Sequence, residues 1–203
     1  MKMEWTRPMV RVTLEGSLVR LEPLAMRHEA ELKDIFDDAR IWKYQRRKIE
    51  SEEGLREYLA ASLKEWRAGT ALPFVVRWTA SGRLVGMTRL KNMVRENRRA
   101  TMGSWYCRPA WGTGANTEAK LLLLTHAFEV LQCVRVEFHA DRLNARSRSA
   151  LKTLGAVEEG TLRADVLQPD GRRRDTVMYS VIDDEWGKVK RRLQRAVKVA
   201  AKG

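Results

Sequence analysis

The chain has 203 residues, of which 44% are hydrophobic and 32% are charged, a composition typical of a soluble globular protein. Its longest apolar runs fall far short of the roughly 20 residues that a membrane helix requires, so we expect no membrane association. The N-terminus lacks the apolar core of a signal peptide, and two cysteines do not form a disulfide framework. These observations favour a cytoplasmic protein with one large domain.

The charge of the chain is strongly positive. Its 39 lysine and arginine residues exceed its 26 aspartate and glutamate residues, which gives a formal net charge of +13. A field of this sign attracts polyanions, including nucleic acid, ribosomes and polyphosphate cofactors. The basic residues form several scattered clusters without an aromatic-rich nucleic-acid motif, so proximity to the ribosome or to RNA stays open beside a solvated basic surface.

The first half of the chain shows one strand pattern, two helical patterns and then two more strand patterns. The predicted elements are a strand over 17–24, helices over 25–38 and 51–68, and strands over 72–79 and 83–93. The loop over 40–50, between the two helices, carries Trp42 and Tyr44. Large aromatic side chains on a loop are suited to covering a small-molecule pocket, although they also serve to hold a loop in place.

The second half of the chain alternates strands with helices. Its predicted elements are a strand over 101–107, helices over 119–131 and 144–154, strands over 134–140, 157–163 and 176–182, and a last helix from 183. The whole order predicts an α/β fold with a mixed sheet of about seven strands, four helices and a basic C-terminal helix. We expect an N-terminal extension over 1–16, one domain over 17–182 and the basic helix over 183–203.

A glycine-rich turn over 108–118 separates a predicted strand from a predicted helix. Gly112 and Gly114 permit backbone conformations that a side chain disfavours, and the free N–H groups of the following helical turn attract an anion such as a pyrophosphate. A Walker loop is excluded because Ala115 and Asn116 follow the second glycine, and a dinucleotide fingerprint is weak because position 117 is threonine. A coenzyme A loop and a purely structural turn both remain.

Three segments carry a resemblance to a known family. They are 111–115 with the helix start that follows, 144–163 with its helix-ending Gly155, and 174–180 on the last predicted strand. In this order and spacing, and over roughly 17–182, the chain resembles the GNAT superfamily of N-acetyltransferases. It is most similar to the branch of ribosomal-protein N-terminal acetyltransferases, the RimJ/RimL-like enzymes.

The resemblance implies the GNAT fold, acetyl-coenzyme A (acetyl-CoA) as the cosubstrate and no metal. It places the pyrophosphate on the backbone amides of the glycine loop and the thioester beside the strand that precedes it. The implied cofactor-binding residues are Ser104, Trp105, Tyr106, Arg108, Trp111, Gly112, Thr113, Gly114, Ala115, Asn144 and Arg148.

The catalytic residues are less well marked, because the chain departs from common family patterns. Pro109 stands where many members have glutamine or arginine, and Leu151 stands where many have a tyrosine acid. Ser147 is the implied acid instead, as in the N-terminal acetyltransferase branch, with Asn144 helping to shape the thioester site. Asp165 and Asp175 are the candidate general bases at the acceptor end, and Asp141 is a weaker candidate.

The acceptor pocket is implied to lie on the first helix, the loop after it and the last strand. The candidate residues are His28, Trp42, Tyr44 and Asp175. An α-amino group, with a pKa near 7.7–8.0 against about 10.4 for lysine, is the easier amine to deprotonate, so a protein or peptide N-terminus is the favoured acceptor. Small amines such as polyamines, amino acids or antibiotics are the alternative, as is a non-catalytic acyl-CoA sensor. The oligomeric state, monomer or dimer, stays open.

Overall fold

The computed structural model describes residue 5 and residues 9–168 and 170–202, which form one mixed eight-stranded sheet with helices on both faces. The strands are Leu14–Glu15 (β1), Val19–Pro23 (β2), Leu72–Trp78 (β3), Leu84–Val94 (β4), Arg99–Tyr106 (β5), Arg135–Asp141 (β6), Val157–Leu167 (β7) and Arg173–Ile182 (β8). The α-helices are Glu29–Phe36 (α1), Ala39–Trp42 (α2), Glu52–Arg67 (α3), Ala115–Thr125 (α4), Ala145–Leu154 (α5) and Asp183–Ala200 (α6).

The sheet has the strand order β1-β2-β3-β4-β5-β6-β8-β7. Its pairs are antiparallel except β5 and β6, which are parallel and are joined by the crossover helix α4. The predicted α/β class and the crossover around the glycine loop are therefore confirmed. The additional strand is β1, a two-residue partner of β2 that is too short to give a sequence pattern.

Each face of the sheet has its own hydrophobic core. Helices α4, α5 and α6 cover one face, where residues such as Leu123, Leu151 and Leu193 are buried. Helices α1, α2 and α3 cover the other face, with Phe36 and Leu59 among the buried residues. A ligand bound at an opening between two strands is therefore accessible to residues of both layers.

Two helices differ from the sequence prediction. Within the expected loop, α2 forms because the Asp38 carboxylate accepts the Arg40 N–H and caps a single helical turn. Helix α4 begins at Ala115, four residues before the start of its apolar pattern, and passes at His126 into a π-helical turn that ends at Val130. The polar first turn of α4 carries no apolar pattern, so periodicity missed it.

The basic C-terminal helix α6 packs into the core. Trp186 stacks on Phe128 with ring centroids 5.1 Å apart and donates its indole N–H to Glu129 over 2.7 Å. Of the expected extension over 1–16, residues 1–4 and 6–8 lie outside the described residues. None of the helices that the structure describes is both long and apolar enough to span a bilayer.

Candidate active site

A gap opens between β5 and β6. The two strands pair from Arg99 with Arg135 to Met102 with Phe138, and no pairing follows beyond that point. The rest of β5, from Gly103 to Tyr106, thus has β4 on one side and an open edge on the other. We call this opening the β5–β6 gap.

The backbone groups that face the β5–β6 gap belong to Ser104 and Tyr106. Cys107 donates its N–H to Val85 of the β4 side, and antiparallel pairing alternates, so residues 104 and 106 direct their backbone groups to the opposite side. The Ser104 carbonyl accepts a hydrogen bond from Gln45 Nε2 (3.3 Å), and the Tyr106 carbonyl accepts one from Trp111 Nε1 (2.9 Å). A strand edge that is not paired by a neighbouring strand is suited to an extended, amide-containing ligand.

A cavity of about 530 Å³ includes the β5–β6 gap and extends to both faces of the sheet. Most of the predicted site residues line it: Trp42, Tyr44, Ser104, Trp105, Tyr106, Trp111, Gly112, Gly114, Asn144 and Ser147. The remaining predicted residues are absent from its lining: His28, Arg108, Thr113, Ala115, Arg148, Asp165 and Asp175. We call this space the central cavity.

The glycine loop, residues 111–115, lies at one end of the central cavity. Gly112 and Gly114 have φ angles of +79° and +89°, in the left-handed region where glycine is favoured. The Thr113 hydroxyl donates to the Ala110 carbonyl over 2.8 Å, which closes the loop from within. In the described part of the chain, the N–H groups of 112–114 and 116–117 have no hydrogen-bond acceptor. Free N–H groups at a helix N-terminus are suited to a phosphate or pyrophosphate.

Glu118 anchors the first turn of α4 to the β1–β2 turn. Its carboxylate, only 3% exposed, accepts hydrogen bonds from the N–H groups of Ser17 (2.9 Å), Leu18 (2.6 Å) and Val19 (2.7 Å) and from the Ser17 hydroxyl (2.7 Å). This carboxylate is therefore fully occupied by the protein. Gly114 lies against the same region, since a Cβ there would be 3.0 Å from Leu18 and 2.5 Å from Ala200 of α6.

Two cations lie at the cofactor end of the central cavity. The Arg146 guanidinium stacks over the Trp111 ring, 3.4 Å from its centroid. Lys120 of α4 lines the cavity and is 8% exposed, and burial lowers its pKa to about 8. A partly stacked guanidinium and a buried amine beside free N–H groups make this end attractive to anions.

Asn144 and Ser147 lie together at the start of α5. The Asn144 side-chain oxygen accepts the Ser147 N–H over 3.0 Å, so Asn144 is the N-cap of the helix. Both residues line the central cavity, which leaves the Asn144 amide and the Ser147 hydroxyl available to a ligand there. Arg148 faces away from the central cavity and lines a shallow surface groove with Lys152 and Arg192.

The predicted acceptor residues differ in their surroundings. His28 is 2% exposed, and its Nδ1 accepts the Ala25 N–H over 3.2 Å, so it holds the start of α1. Trp42 is buried against Trp105 with ring centroids 5.2 Å apart and lines the cavity wall. Tyr44 lines the cavity from the α2–α3 loop, residues 43–51.

The aspartates considered from the sequence are all engaged by arginines. Asp165 is paired with Arg46 of the α2–α3 loop. Asp175 accepts the Ala164 N–H over 2.9 Å and is paired with Arg142 over 3.2 Å, and these contacts lower its pKa. Among the described residues, Asp141 is the one carboxylate that lines the cavity.

Asp141 is also engaged: Arg172 binds it over 2.7 Å, and its other oxygen accepts the Leu143 N–H. Both oxygens of the Asp141 carboxylate are therefore occupied by the protein.

Sequence reasoning missed a cluster of basic residues at the acceptor end. Arg89 and Lys91 of β4, His139 of β6 and Arg174 of β8 all line the central cavity. Burial, with Arg46 and Lys91 nearby, lowers the pKa of His139, which favours its neutral form. Alternation along β4 marks Arg89 and Lys91 as sharing one face, but only the tertiary structure places them in one cavity with Arg174 of β8.

The comparisons with known proteins agree with this geometry. The sequence profile described as an acetyltransferase (GNAT) domain matches residues 19–157, more than half of the chain. The chain belongs to the GNAT acetyltransferase family. GNAT acetyltransferases are N-acetyltransferases that use acetyl-CoA.

Relatives of this GNAT acetyltransferase fall in the RimJ/RimL-like branch. It is 39% identical over 105 residues to the Bacillus subtilis (strain 168) protein named "Putative ribosomal N-acetyltransferase YdaF", a match over 52% of this chain and only 57% of that relative.

Solved structures show the same likeness over more of the chain. The structure of a "putative acetyltransferase from T. thermophilus" is 38% identical, with a TM-score of 0.82 over 92% of this chain and 97% of that one. Mycobacterium smegmatis RimJ in complex with CoA-disulfide is 26% identical, with a TM-score of 0.80 over 93% and 95%.

Proposed function

We propose that the protein transfers the acetyl group of acetyl-CoA directly to the α-amino group of a protein or peptide. The observation that carries the proposal is the central cavity, which joins an anion-binding loop to the β5–β6 gap and then to an acceptor end. We propose that residues 17–182 perform the reaction in the cytoplasm. We also propose that α6 stabilises the glycine loop by packing against it.

The residues of this chain fit the cofactor at two points. The free N–H groups of the glycine loop suit a pyrophosphate, and Arg146 and Lys120 add positive charge beside it. The open edge of β5 at Ser104 and Tyr106 suits the amides of a pantetheine arm, with Asn144 across the gap. Acetyl-CoA supplies the activated acetyl group.

The acceptor end favours a neutral amine. Burial and a positive surrounding lower the pKa of a basic group, as they do for Lys91, so an entering α-ammonium loses its proton more easily there than in water. Since the nearby aspartates are paired with arginines, we propose that solvent water takes this proton, rather than Asp165. The amine nitrogen then bonds to the acetyl carbon, the carbon–sulfur bond breaks, and the second proton of the nitrogen passes to the departing sulfur through the Ser147 hydroxyl, which is thereby restored.

Ser147 is the proposed donor to the departing sulfur. Its hydroxyl is at the cavity wall beside Asn144, whereas Leu151, one turn further along α5, has no proton to give. The rest of the rate comes from holding the amine and the thioester together in a space that the α2–α3 loop covers. Gln168 and Arg174 hold this loop by hydrogen bonds to the carbonyls of Gln45 (3.3 Å) and Tyr44 (3.2 Å).

The alternatives receive less support. A polyamine would bring several positive charges into a cavity lined by eight lysine and arginine residues, which opposes binding. A non-catalytic sensor needs only to bind the cofactor and does not require an acceptor end that is continuous with the cofactor end.

The test is thiol release from acetyl-CoA by the purified protein with N-terminal peptides, with the same peptides bearing a blocked N-terminus, and with spermidine. We expect release only with free N-termini. Thiol release with spermidine alone would indicate that the acceptor is a small amine. Binding of acetyl-CoA without thiol release would support a non-catalytic sensor.

A further inference from the structure

The acceptor end of the central cavity is lined mainly by cations. They come from α2, the α2–α3 loop, β4 and β8: Arg40, Arg46, Arg47, Arg89, Lys91 and Arg174. The lining carboxylate of the described residues, Asp141, is bound by Arg172 over 2.7 Å. The wall of this end therefore carries more cations than carboxylates.

Four of these six cations are paired with carboxylates at the rim. The pairs are Arg40 with Asp38 (2.7 Å), Arg46 with Asp165, Arg47 with Glu57 (2.9 Å) and Arg89 with Glu65 (3.1 Å). Arg174 has a longer contact, 3.8 Å, with Asp141, which Arg172 already binds, and Lys91 has no carboxylate within ion-pair distance among the described residues. We call Lys91 and Arg174, the two cations without a close carboxylate of their own, the deep cations.

Lys91 has no ion-pair or hydrogen-bond partner within the described chain. Burial and the neighbouring Arg89, Arg46 and Arg174 lower its pKa to about 8, an effect that Glu65 opposes, so the net effect of its surroundings is repulsive. Its side chain lies over Gly103, where a Cβ would be 3.8 Å from Lys91 Cε, and lines the central cavity. A partner with a negative charge would relieve this repulsion.

Arg174 is a buried cation with incomplete pairing. Its side chain is only 4% exposed, and its Nη1 donates to the Tyr44 carbonyl over 3.2 Å. Its Nε has no hydrogen-bond acceptor among the described residues and is 3.8 Å from the nearest oxygen of Asp141. A guanidinium that is buried without full pairing is costly, so its retention at a cavity wall indicates an anionic ligand.

We propose that the acceptor is an acidic peptide, whose carboxylates in the first residues after the α-amino group bind Lys91 and Arg174. This inference rests on the proposed acetyl transfer and adds the substrate class. The carboxylates neutralise the deep cations, while the α-amino group, held one or two residues away, lies in the β5–β6 gap. Peptides with lysine or arginine after the N-terminus are repelled.

The first experiment measures kcat/KM for three peptides of equal length that begin Ser-Asp-Glu, Ser-Asn-Gln and Ser-Lys-Arg. A charge-assisted hydrogen bond is stronger than its neutral counterpart, so we expect the acidic peptide to exceed the amide peptide by about tenfold. Added salt should reduce this ratio. Equal values for the acidic and amide peptides, or a preference for the basic one, would overturn the inference while acetyl transfer itself stands.

The second experiment assigns the preference to Lys91. Lys91→Met removes an unpaired cation and keeps the chain length, so the fold should tolerate it; we expect the acidic-to-amide ratio to fall to about one-third of its value or less. Arg191→Gln is the matched control, since Arg191 is exposed on α6 and outside the cavity lining. A ratio that falls equally in both variants would mean that net charge, not Lys91, sets the preference.

A third measurement separates the inference from the proposed function. Binding of the N-acetylated acidic peptide is measured directly, without turnover, against the N-acetylated amide peptide. Acidic-selective binding that Lys91→Met weakens, with no thiol release from any peptide, would refute acetyl transfer to peptides and still support acidic recognition. Absence of selectivity in both binding and turnover would refute the inference.

Discussion

The carboxylate of Glu118 gives the sharpest test of how the glycine loop is held. It is the acceptor for three backbone N–H groups and one hydroxyl of the β1–β2 turn, over distances of 2.6–2.9 Å. Replacing Glu118 with alanine leaves the N–H groups of the half-buried Leu18 and the buried Val19 without an acceptor, whereas the exposed Ser17 can bond water. Each buried donor that loses its partner costs about 1–3 kcal/mol, so the variant should lose about 4 kcal/mol of unfolding free energy.

For a protein of this size, each kcal/mol corresponds to about 2–4 °C in Tm, so we expect Glu118→Ala to melt about 10 °C lower. The assay is thermal unfolding followed by circular dichroism, confirmed by urea titration. Glu53→Ala is the matched control, because Glu53 is also in the first helical turn, of α3, but is exposed. Its expected change is within about 0.5 kcal/mol.

A smaller change, Glu118→Gln, keeps the shape of the side chain and one oxygen acceptor. Its amide NH₂ would then face backbone N–H donors, so we expect a loss between those of the alanine variant and the control. If Glu118→Ala melts within a degree of Glu53→Ala, the carboxylate does not anchor the β1–β2 turn, and the reasoning from its contacts is refuted.

Three further predictions concern the central cavity. Gly114→Ala should lower Tm more than Gly112→Ala, because only the Cβ at Gly114 would strike Ala200, and adding Ala200→Gly should restore part of the loss; equal Tm values would contradict this packing. Ser147→Ala should lower kcat with acetyl-CoA affinity retained in calorimetry, and an unchanged kcat removes Ser147 from the mechanism. Lys120→Met should raise stability at pH 7 by up to about 3 kcal/mol, since the pKa of Lys120 is about 8 when folded and about 10.4 when unfolded. Between pH 8 and about 10.4 the unfolded wild type binds more protons than the folded one, so the wild type becomes more stable and the advantage of Lys120→Met should shrink. Urea titrations that show the same advantage at every pH would contradict the lowered pKa of Lys120.

Lys120 also illustrates why stability and binding conflict at this site. A buried cation without a partner destabilises the free protein, and a bound phosphate would remove that penalty. We therefore expect acetyl-CoA to raise the Tm of the wild type more than that of Lys120→Met.

The fold was predictable because its signals are local. Alternation marked the long strands, the pair Gly112 and Gly114 marked the loop, and Gly155 marked the end of α5. The strand β1 was not predictable, since two residues carry no period and its place depends on Glu118, about 100 residues away in sequence.

The acceptor end was the hardest part to predict. Lys91 and Arg174 look like ordinary solvated cations in the sequence, and only the pairing of β6 with β8 and the fold of the α2–α3 loop enclose them. Asp165 remains a prediction from its place near the last strands, and its ion pair with Arg46, more than 100 residues earlier in the chain, could not be predicted. Long-range ion pairing is not visible in local patterns.

The contact of Gly114 with Leu18 and Ala200 has a consequence for the biosynthesis of the protein. The glycine loop lies between Leu18, which is synthesised well before it, and Ala200, which is synthesised well after it. While a ribosome still holds the segment that becomes α6, the β1–β2 turn can meet α4, but the other side of the loop stays open. A nascent chain should therefore acquire its full affinity for acetyl-CoA only when the last turn of α6 has left the exit tunnel.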